Sequence, residues 1–241
     1  MKFAITIPVL NEESTLERNI TILRDFLDHE FSGRPTVGIV ISDNGSTDAT
    51  KGLGEKLALT LEDVKYIRLE TRGVGKALKA SWNDSDADIV GYMDLDLATD
   101  LSHLKQVLNA FDEANVDFIN GSRLAQGSEV RGRSLRRNIS SHSMNWLIRR
   151  IFKTTFTDGM CGFKFLKRSI LPDLENVGAK SDGWFFATEL LVSAERLGYN
   201  VSEIPVKWTD DPNSKVKILK LSIEYLRAMF RLRRALNDAG V

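Results

Sequence analysis

A single cysteine, Cys161, stands among the 241 residues, so the chain forms no internal disulfide, and that scarcity suits a reducing compartment. Charge of one sign is also missing. The 33 basic residues meet 33 acidic ones, which leaves no whole-molecule field of the kind that gathers nucleic acid. No run approaches the roughly 20 apolar residues that cross a bilayer. Residues 1–8 carry one charged side chain and a short apolar run; they read as a strand rather than an export signal, and a cytoplasmic protein is expected. Internal repeats and low-complexity linkers are absent too. What remains is 42% hydrophobic and 27% charged residues, too apolar for disorder and ample for a core.

Compact runs rich in Ile and Val, at 3–9 and 37–42, predict strands buried on both faces, and 66–69, 88–93 and 118–120 are shorter versions. Between them Leu16, Ile20, Leu23 and Leu27 recur at helical spacing. So do Leu101, Leu104, Leu108 and Phe111, with Ser14 and Asp100 as caps. The alternation predicts an α/β layered fold, a mostly parallel central sheet and right-handed crossovers. Helices are expected near 134–153, 184–197 and 216–236, and strands near 163–166 and 201–206. One domain over 1–212 with an amphipathic helix over 213–241 follows.

Such sheets bind ligands beyond the carboxyl ends of their strands. Pro8-Val9-Leu10-Asn11-Glu12-Glu13 ends the first run, Ser42-Asp43-Asn44-Gly45-Ser46-Thr47-Asp48 the second, and Asp94-Leu95-Asp96 the fourth. Turn chemistry alone explains any one of these loops; three acidic loops at three strand ends point to a ligand. In extended backbone residues i and i+2 project the same way. Asp94 and Asp96 then converge, at a cost in repulsion unless a cation sits between them. Carboxylate oxygens favour Mg²⁺ or Mn²⁺, an ion that also grips and neutralises a leaving diphosphate. Arg72-Gly73-Val74-Gly75-Lys76 has the look of a phosphate loop. The Walker pattern fails at Glu70 and Ala77, and the dinucleotide pattern fails at Leu78.

In this order, Ile7-Pro8-Val9-Leu10-Asn11-Glu12-Glu13, Asp43-Asn44-Gly45-Ser46-Thr47-Asp48, Gly73-Val74-Gly75-Lys76-Ala77 and Asp94-Leu95-Asp96 resemble the motifs of family 2 glycosyltransferases of GT-A fold. Later motifs are most similar to those of the polyprenyl-phosphate sugar synthases, the dolichol-phosphate mannose and glucose synthase type. They are Gly121-Ser122-Arg123, Arg136-Arg137-Asn138-Ile139-Ser140, Asp158-Gly159-Met160-Cys161-Gly162-Phe163-Lys164, Glu189, and Glu203-Ile204-Pro205-Val206-Lys207-Trp208 with Ser214-Lys215. The resemblance spans about residues 3–217. It implies a Rossmann-like three-layer α/β sandwich and a metal-dependent, inverting transfer of a hexose from a UDP- or GDP-sugar to a polyprenyl phosphate.

By that resemblance Pro8, Glu12, Asp43, Asn44, Lys76 and Asp94 hold the nucleotide sugar. Asp94 and Asp96 hold Mg²⁺ or Mn²⁺ with the diphosphate, Asp96 being the stronger ligand candidate. Arg123 and Glu189 join the two aspartates as catalytic candidates, and Arg131, Arg136 and Ser140 take the acceptor phosphate. There are two departures from the pattern. Asn44 replaces the usual second Asp of the nucleobase loop and offers both a hydrogen-bond donor and an acceptor. Ala98 stands where mannose synthases often carry a metal-binding Gln, which leaves coordination to be completed by water and diphosphate.

Residues 131–153 hold seven Lys/Arg and no acid, and 215–234 hold seven against Glu224 alone. A charge run is ordinarily a solvated face. Ile218, Leu221, Ile223, Leu226, Met229, Phe230 and Leu232 nevertheless give the last helix an apolar stripe with basic flanks. That stripe suits the cytoplasmic face of an anionic membrane, core packing, or a homo-oligomer contact. A phosphate monoester, whose second pKa is about 6, is already mostly dianionic at neutral pH and needs positioning rather than a base. His29, His103 and His142 accordingly lie outside every motif. A saccharide or other hydroxyl acceptor, the nearest rival, requires a base, for which Asp158 and Glu189 are the candidates. A non-catalytic nucleotide-sugar-binding protein is the rival of another class, disfavoured by the intact aspartates.

Overall fold

The computed structural model describes residues 1–31, 37–113, 115–210 and 218–241, with backbone alone at 218–222. Ser214-Lys215 and the side chains of Ile218 and Leu221 lie outside the described residues. Seven strands form one sheet in the order β3 (Val64–Arg68), β2 (Val37–Asp43), β1 (Phe3–Val9), β4 (Ile89–Met93), β7 (Phe163–Lys167), β5 (Phe118–Ser122), β8 (Val201–Pro205). All neighbours pair in parallel except β7, which runs antiparallel to both β4 and β5. The register sets Val9 opposite Asp43 and Thr6 opposite Tyr92, so the loops leaving β1, β2 and β4 emerge at one edge. A short parallel ribbon joins β6 (Glu129–Arg131) to β9 (Lys207–Thr209).

Among the described residues eight α-helices flank these strands: α1 (Leu16–Glu30), α2 (Thr50–Thr60), α3 (Val74–Asn83), α4 (His103–Glu113), α5 (Leu135–Phe152), α6 (Leu171–Asn176), α7 (Phe186–Arg196) and α8 (Ile218–Asp238). One core packs Leu16, Ile20, Leu23 and Leu27 of α1 and Leu104, Leu108 and Phe111 of α4 on one sheet face. The other packs Leu78 and Trp82 of α3, Ile148 of α5, Leu190 of α7 and Met229 and Leu232 of α8 on the opposite face. Helices on both faces of a mostly parallel sheet make three layers. Thr15, not Ser14, is the cap residue of α1, and its hydroxyl donates to Glu12 Oε2 (2.9 Å). Asp100 instead closes the turn ahead of α4 by accepting from Ser102 N (2.9 Å). The apolar stripe of α8 is divided. Tyr225, Met229, Leu232 and Leu236 are core, whereas Ile223, Leu226 and Phe230 face outward.

Candidate active site

At the end of β2 the carboxylate of Asp43 is fully buried and accepts from Ser46 N (2.8 Å), Tyr66 Oη (2.7 Å) and Arg68 Nη1 (2.8 Å). Burial alone would raise its pKa. The Ser46 and Tyr66 hydrogen bonds, with the Arg68 charge, outweigh burial and hold it below the usual carboxylate range. Asp43 therefore shapes the loop. Gly45 makes the turn at φ 78°, where a Cβ would also press on Leu69 O at 3.1 Å. Asn44 is buried, its N–H donates to Val9 O (2.9 Å), and its Oδ1 has no partner among the described residues. A buried unpaired amide oxygen is costly until something donates to it. The β1 loop is stitched to this one by Asn11 N donating to Ser46 Oγ (2.9 Å) and Thr47 N to Asn11 Oδ1 (2.8 Å). Glu12 N donates to Thr50 Oγ1 (2.8 Å), and Pro8 pairs with Ser42 in the sheet.

Asp94 and Asp96 leave β4 at the same edge, Asp94 half-buried, Asp96 exposed, with Leu95 turned into the core. Ala98 N donates to Asp96 Oδ1 (3.0 Å), and Leu97 takes φ 54° to complete the turn. Burial, then the charge of Asp96, raise the Asp94 pKa to about 7 against the pull of Arg123 and Lys164. Two carboxylates that raise one another's affinity for a proton in this way fit a divalent cation. No third His, Cys, Asp or Glu joins them among the described residues, so diphosphate and water would complete the shell. Gly162 lies against this carboxylate. A Cβ there would fall 2.0 Å from Asp94 Oδ2.

Behind Asp94 is a network of charges. Arg123 donates through Nε to Asp158 Oδ2 (2.7 Å) and through Nη2 to Oδ1 (3.0 Å), a bidentate pair with Asp158 wholly buried. Asp158 also accepts from Arg123 N (3.2 Å), Asn145 Nδ2 (3.2 Å) and Met160 N (3.1 Å). Burial opposes ionisation of Asp158, yet the Arg123 charge and hydrogen bonds hold it well below the carboxylate range. With five N–H donors on its oxygens, Asp158 is bound as the counter-ion of Arg123. Lys164 is buried and donates to Cys161 O (2.6 Å). Burial pushes the Cys161 thiol up to about 12, so it packs as a neutral side chain.

Lys76 opens α3, but the glycines before it make a seam rather than a phosphate cradle. Gly75 N donates to Gly183 O (3.2 Å) and Lys76 N to Asp182 O (3.3 Å). Cβ atoms at Gly73 and Gly75 would meet Asp182 O at 2.4 Å and Ser181 O at 2.3 Å. Lys76 Nζ donates to Thr71 Oγ1 (3.1 Å) and lies 3.7 Å from Asp182 Oδ2. Glu189, fully buried in α7, accepts from Ser181 N (2.7 Å), Ser181 Oγ (2.6 Å) and Arg231 Nη2 (2.5 Å), clasping that seam to α8. The loop at 158–164 is held by Thr188 Oγ1, which donates to Gly159 O (2.8 Å), and by Asn120 Nδ2, which donates to Asp158 O (2.9 Å). Arg131 and Arg136 are exposed, Ser140 is half-buried, and Arg137 pairs with Asp210 Oδ1 at 2.6 Å. In the sequence Arg133 stands with Arg131, Arg136 and Arg137 in the part the family uses for its acceptor, and Trp208 belongs to the last motif, but nothing there singles out either. The guanidiniums of Arg123 and Arg133 both overlie the Trp208 ring.

An acidic pair beside the polar loops that leave β1 and β2, at the edge of a mostly parallel sheet clad on both faces, is the arrangement of a GT-A glycosyltransferase. The chain belongs to glycosyl transferase family 2, whose model matches residues 4–174. It is 28% identical over 237 residues to glycosyltransferase AglD of Haloferax volcanii, covering 96% of this chain and 38% of that one. It is 27% identical over 234 residues to polyprenol monophosphomannose synthase of Mycolicibacterium smegmatis, covering 95% and 84%. To dolichyl-phosphate beta-glucosyltransferase of Drosophila melanogaster it is 28% identical over 229 residues, covering 90% and 69%. The chain thus spans well under half the length of AglD and larger shares of the other two. Among solved structures, glucosyl-3-phosphoglycerate synthase of Mycobacterium tuberculosis, crystallised with Mn²⁺, UDP and phosphoglyceric acid, superposes with a TM-score of 0.71 at 15% identity, covering 96% of this chain and 78% of that one. That likeness bears out the GT-A layers expected of the sequence.

Proposed function

We propose that the protein moves a hexose from a nucleoside-diphosphate sugar to a polyprenyl phosphate, inverting the anomeric centre, at a membrane surface. The observation that carries this reading is an asymmetry of charge. Asp158 and Glu189, the carboxylates suited to deprotonate a hydroxyl acceptor, are consumed by Arg123 and by Ser181 and Arg231, while arginines gather beside the acidic pair. An acceptor that arrives already ionised needs that arrangement. The relatives named for polyprenol-monophosphate mannose and dolichyl-phosphate glucose transfer support the same acceptor class.

In this reading Asn44 takes an N–H of the base on its unpaired Oδ1, and Asp43, Glu12 and Pro8 hold the loops that frame it. Asp94 and Asp96 would hold Mg²⁺ or Mn²⁺, which when bound neutralises the diphosphate as it departs. Arg123, fixed by Asp158, moderates the charge of Asp94 from behind, and Glu189 positions the Lys76 seam. An acceptor phosphate oxygen attacks the anomeric carbon opposite the diphosphate. The new carbon–oxygen bond forms as the bond to the diphosphate oxygen breaks, and no proton need move.

Residues 1–212 are the catalytic unit in this account, and 213–241 its helical extension. Among the described residues no helix is long and apolar enough to cross a membrane. A peripheral contact is offered by α5 and α8, which pack together and expose Leu135, Ile139, Trp146, Leu226 and Phe230 amid Arg136, Arg150, Arg227 and Arg234. We place that contact on the cytoplasmic face, where anionic lipid meets basic side chains. The test incubates the chain with Mn²⁺, UDP- or GDP-hexose and either polyprenyl phosphate or the matching alcohol. Transfer to the phosphate alone is expected; transfer to a saccharide hydroxyl with none to the lipid phosphate would overturn the proposal.

A further inference from the structure

Arg133 carries two buried N–H donors, Nε and Nη1, that meet no partner among the described residues. Its guanidinium lies over the Trp208 ring, 5.6 Å from the centroid, and that of Arg123 lies 5.3 Å from the same centroid. Two cations share one aromatic ring, and only one of them is neutralised. Asp158 is committed to Arg123 and Asp210 to Arg137. Burial and then the charge of Arg123 push Arg133 below its ordinary pKa, with Asp158 and Asp210 acting against them. An arginine in that state lacks an anion.

The surroundings say where that anion sits. Trp208 lies in β9, which is bonded to the segment directly after Asp96: Thr209 N donates to Ala98 O (2.9 Å) and Asp100 N to Lys207 O (3.0 Å). Val130 of β6 pairs with Trp208, which brings the chain just beyond Arg131 to the same place. Arg133, which has no carboxylate partner among the described residues, is therefore fastened through Trp208 to the segment that follows Asp96. Arg131 and Arg136, the positions carried over by resemblance, are exposed, and Arg131 pairs with Glu129 at 3.6 Å.

We infer that Arg133, stacked on Trp208, is the anchor for the phosphoryl group of the acceptor, a dianionic phosphate monoester. This rests on the proposed reaction. Its unpaired Nε–H and Nη1–H, on different edges of the guanidinium, each offer a phosphoryl oxygen a charge-assisted hydrogen bond, and the delocalised plane keeps its stacking on Trp208, which an ammonium does not reproduce.

The test uses the full chain with a short-chain isoprenyl phosphate as acceptor. Arg133→Met should raise the acceptor KM about 10- to 100-fold, the worth of hydrogen bonds to a charged group. Calorimetric affinity for the nucleotide sugar with Mn²⁺ should stay within about threefold, and Arg133→Lys should restore only part of the loss. In the unaltered protein, the ¹⁵Nε resonance of Arg133 should shift on adding isoprenyl phosphate and not on adding isoprenol, a readout that requires no variant to fold. An unmoved Arg133 resonance, an unchanged acceptor KM in Arg133→Met, or an equal loss of nucleotide-sugar affinity each overturns the inference. If the unaltered protein transfers nothing to isoprenyl phosphate, the proposed reaction fails; if it turns over with a KM indifferent to Arg133, the inference alone fails.

Discussion

In the proposed reading, the nucleotide side and the acceptor side of the site are assembled by different means. On the nucleotide side the polar loops grow out of adjacent parallel strands and are fastened by near neighbours in the sheet: Asp43 by Ser46, Tyr66 and Arg68, Asn11 by Ser46 and Thr47. The acceptor side is a meeting of distant segments. Arg123 is held by Asp158, Arg137 by Asp210, and Thr157 by Glu203, whose Oε2 accepts from its N–H at 2.8 Å. The first arrangement forms whenever the sheet forms. The second depends on buried ion pairs, in which loss of one partner strands the other.

The largest expected effect therefore falls on the acceptor side. Asp158→Asn leaves Arg123 buried and unpaired and should cost about 3–5 kcal/mol in denaturant unfolding. The pH dependence gives a sign. Because the folded-state pKa of Asp158 lies below its unfolded value, its contribution is complete above about pH 4 and drains away as pH falls further. The variant should thus lose stability at neutral pH and show a shallower decline in acid. Next comes Gly162→Ala, whose methyl group invades Asp94 Oδ2; about 1–3 kcal/mol of overpacking is expected, together with weakened Mn²⁺-dependent nucleotide-sugar binding by calorimetry.

Glu189→Gln sharpens the comparison, because its partners lie on the seam beneath α3. Loss of a charge-assisted clasp should lower stability by about 1.5–3 kcal/mol while leaving the pH profile of turnover in place. A catalytic base at Glu189 would instead remove one limb of that profile. The smallest effect belongs to the outer arginines. Changing Arg227 and Arg234 of α8 to Glu should leave stability within about 0.5 kcal/mol, yet reduce flotation with anionic vesicles.

This same division governed what could be read from the chain. Strands β1 and β2 were legible because burial on both faces demands unbroken apolar runs, and the acidic loops were legible because they follow those runs directly. The antiparallel course of β7 was not, since Phe163-Lys164-Phe165-Leu166-Lys167 carries no mark of direction. The ribbon of Glu129-Val130-Arg131 with Lys207-Trp208-Thr209 is too short for any period, and its pairing spans nearly 80 residues of chain. Among Arg131, Arg133, Arg136 and Arg137, only tertiary partners decide which is paired, exposed or left with buried donors. Glu189 offered one clue, a charge in the apolar first two turns of the helix Phe186–Arg196, but not the identity of Ser181 and Arg231 as its partners.

The decisive measurement is calorimetry of nucleotide-sugar binding with and without Mn²⁺ between pH 8 and pH 6, on the unaltered chain and on Asp96→Ala. With Asp94 titrating near 7, a proton competes with the ion below that point. Mn²⁺ should tighten binding at pH 8, this enhancement should fade by up to about tenfold per pH unit below 7, and Asp96→Ala should abolish it. Binding that ignores Mn²⁺, or an enhancement that survives in Asp96→Ala, would contradict a cation held by Asp94 and Asp96 at the β4 edge.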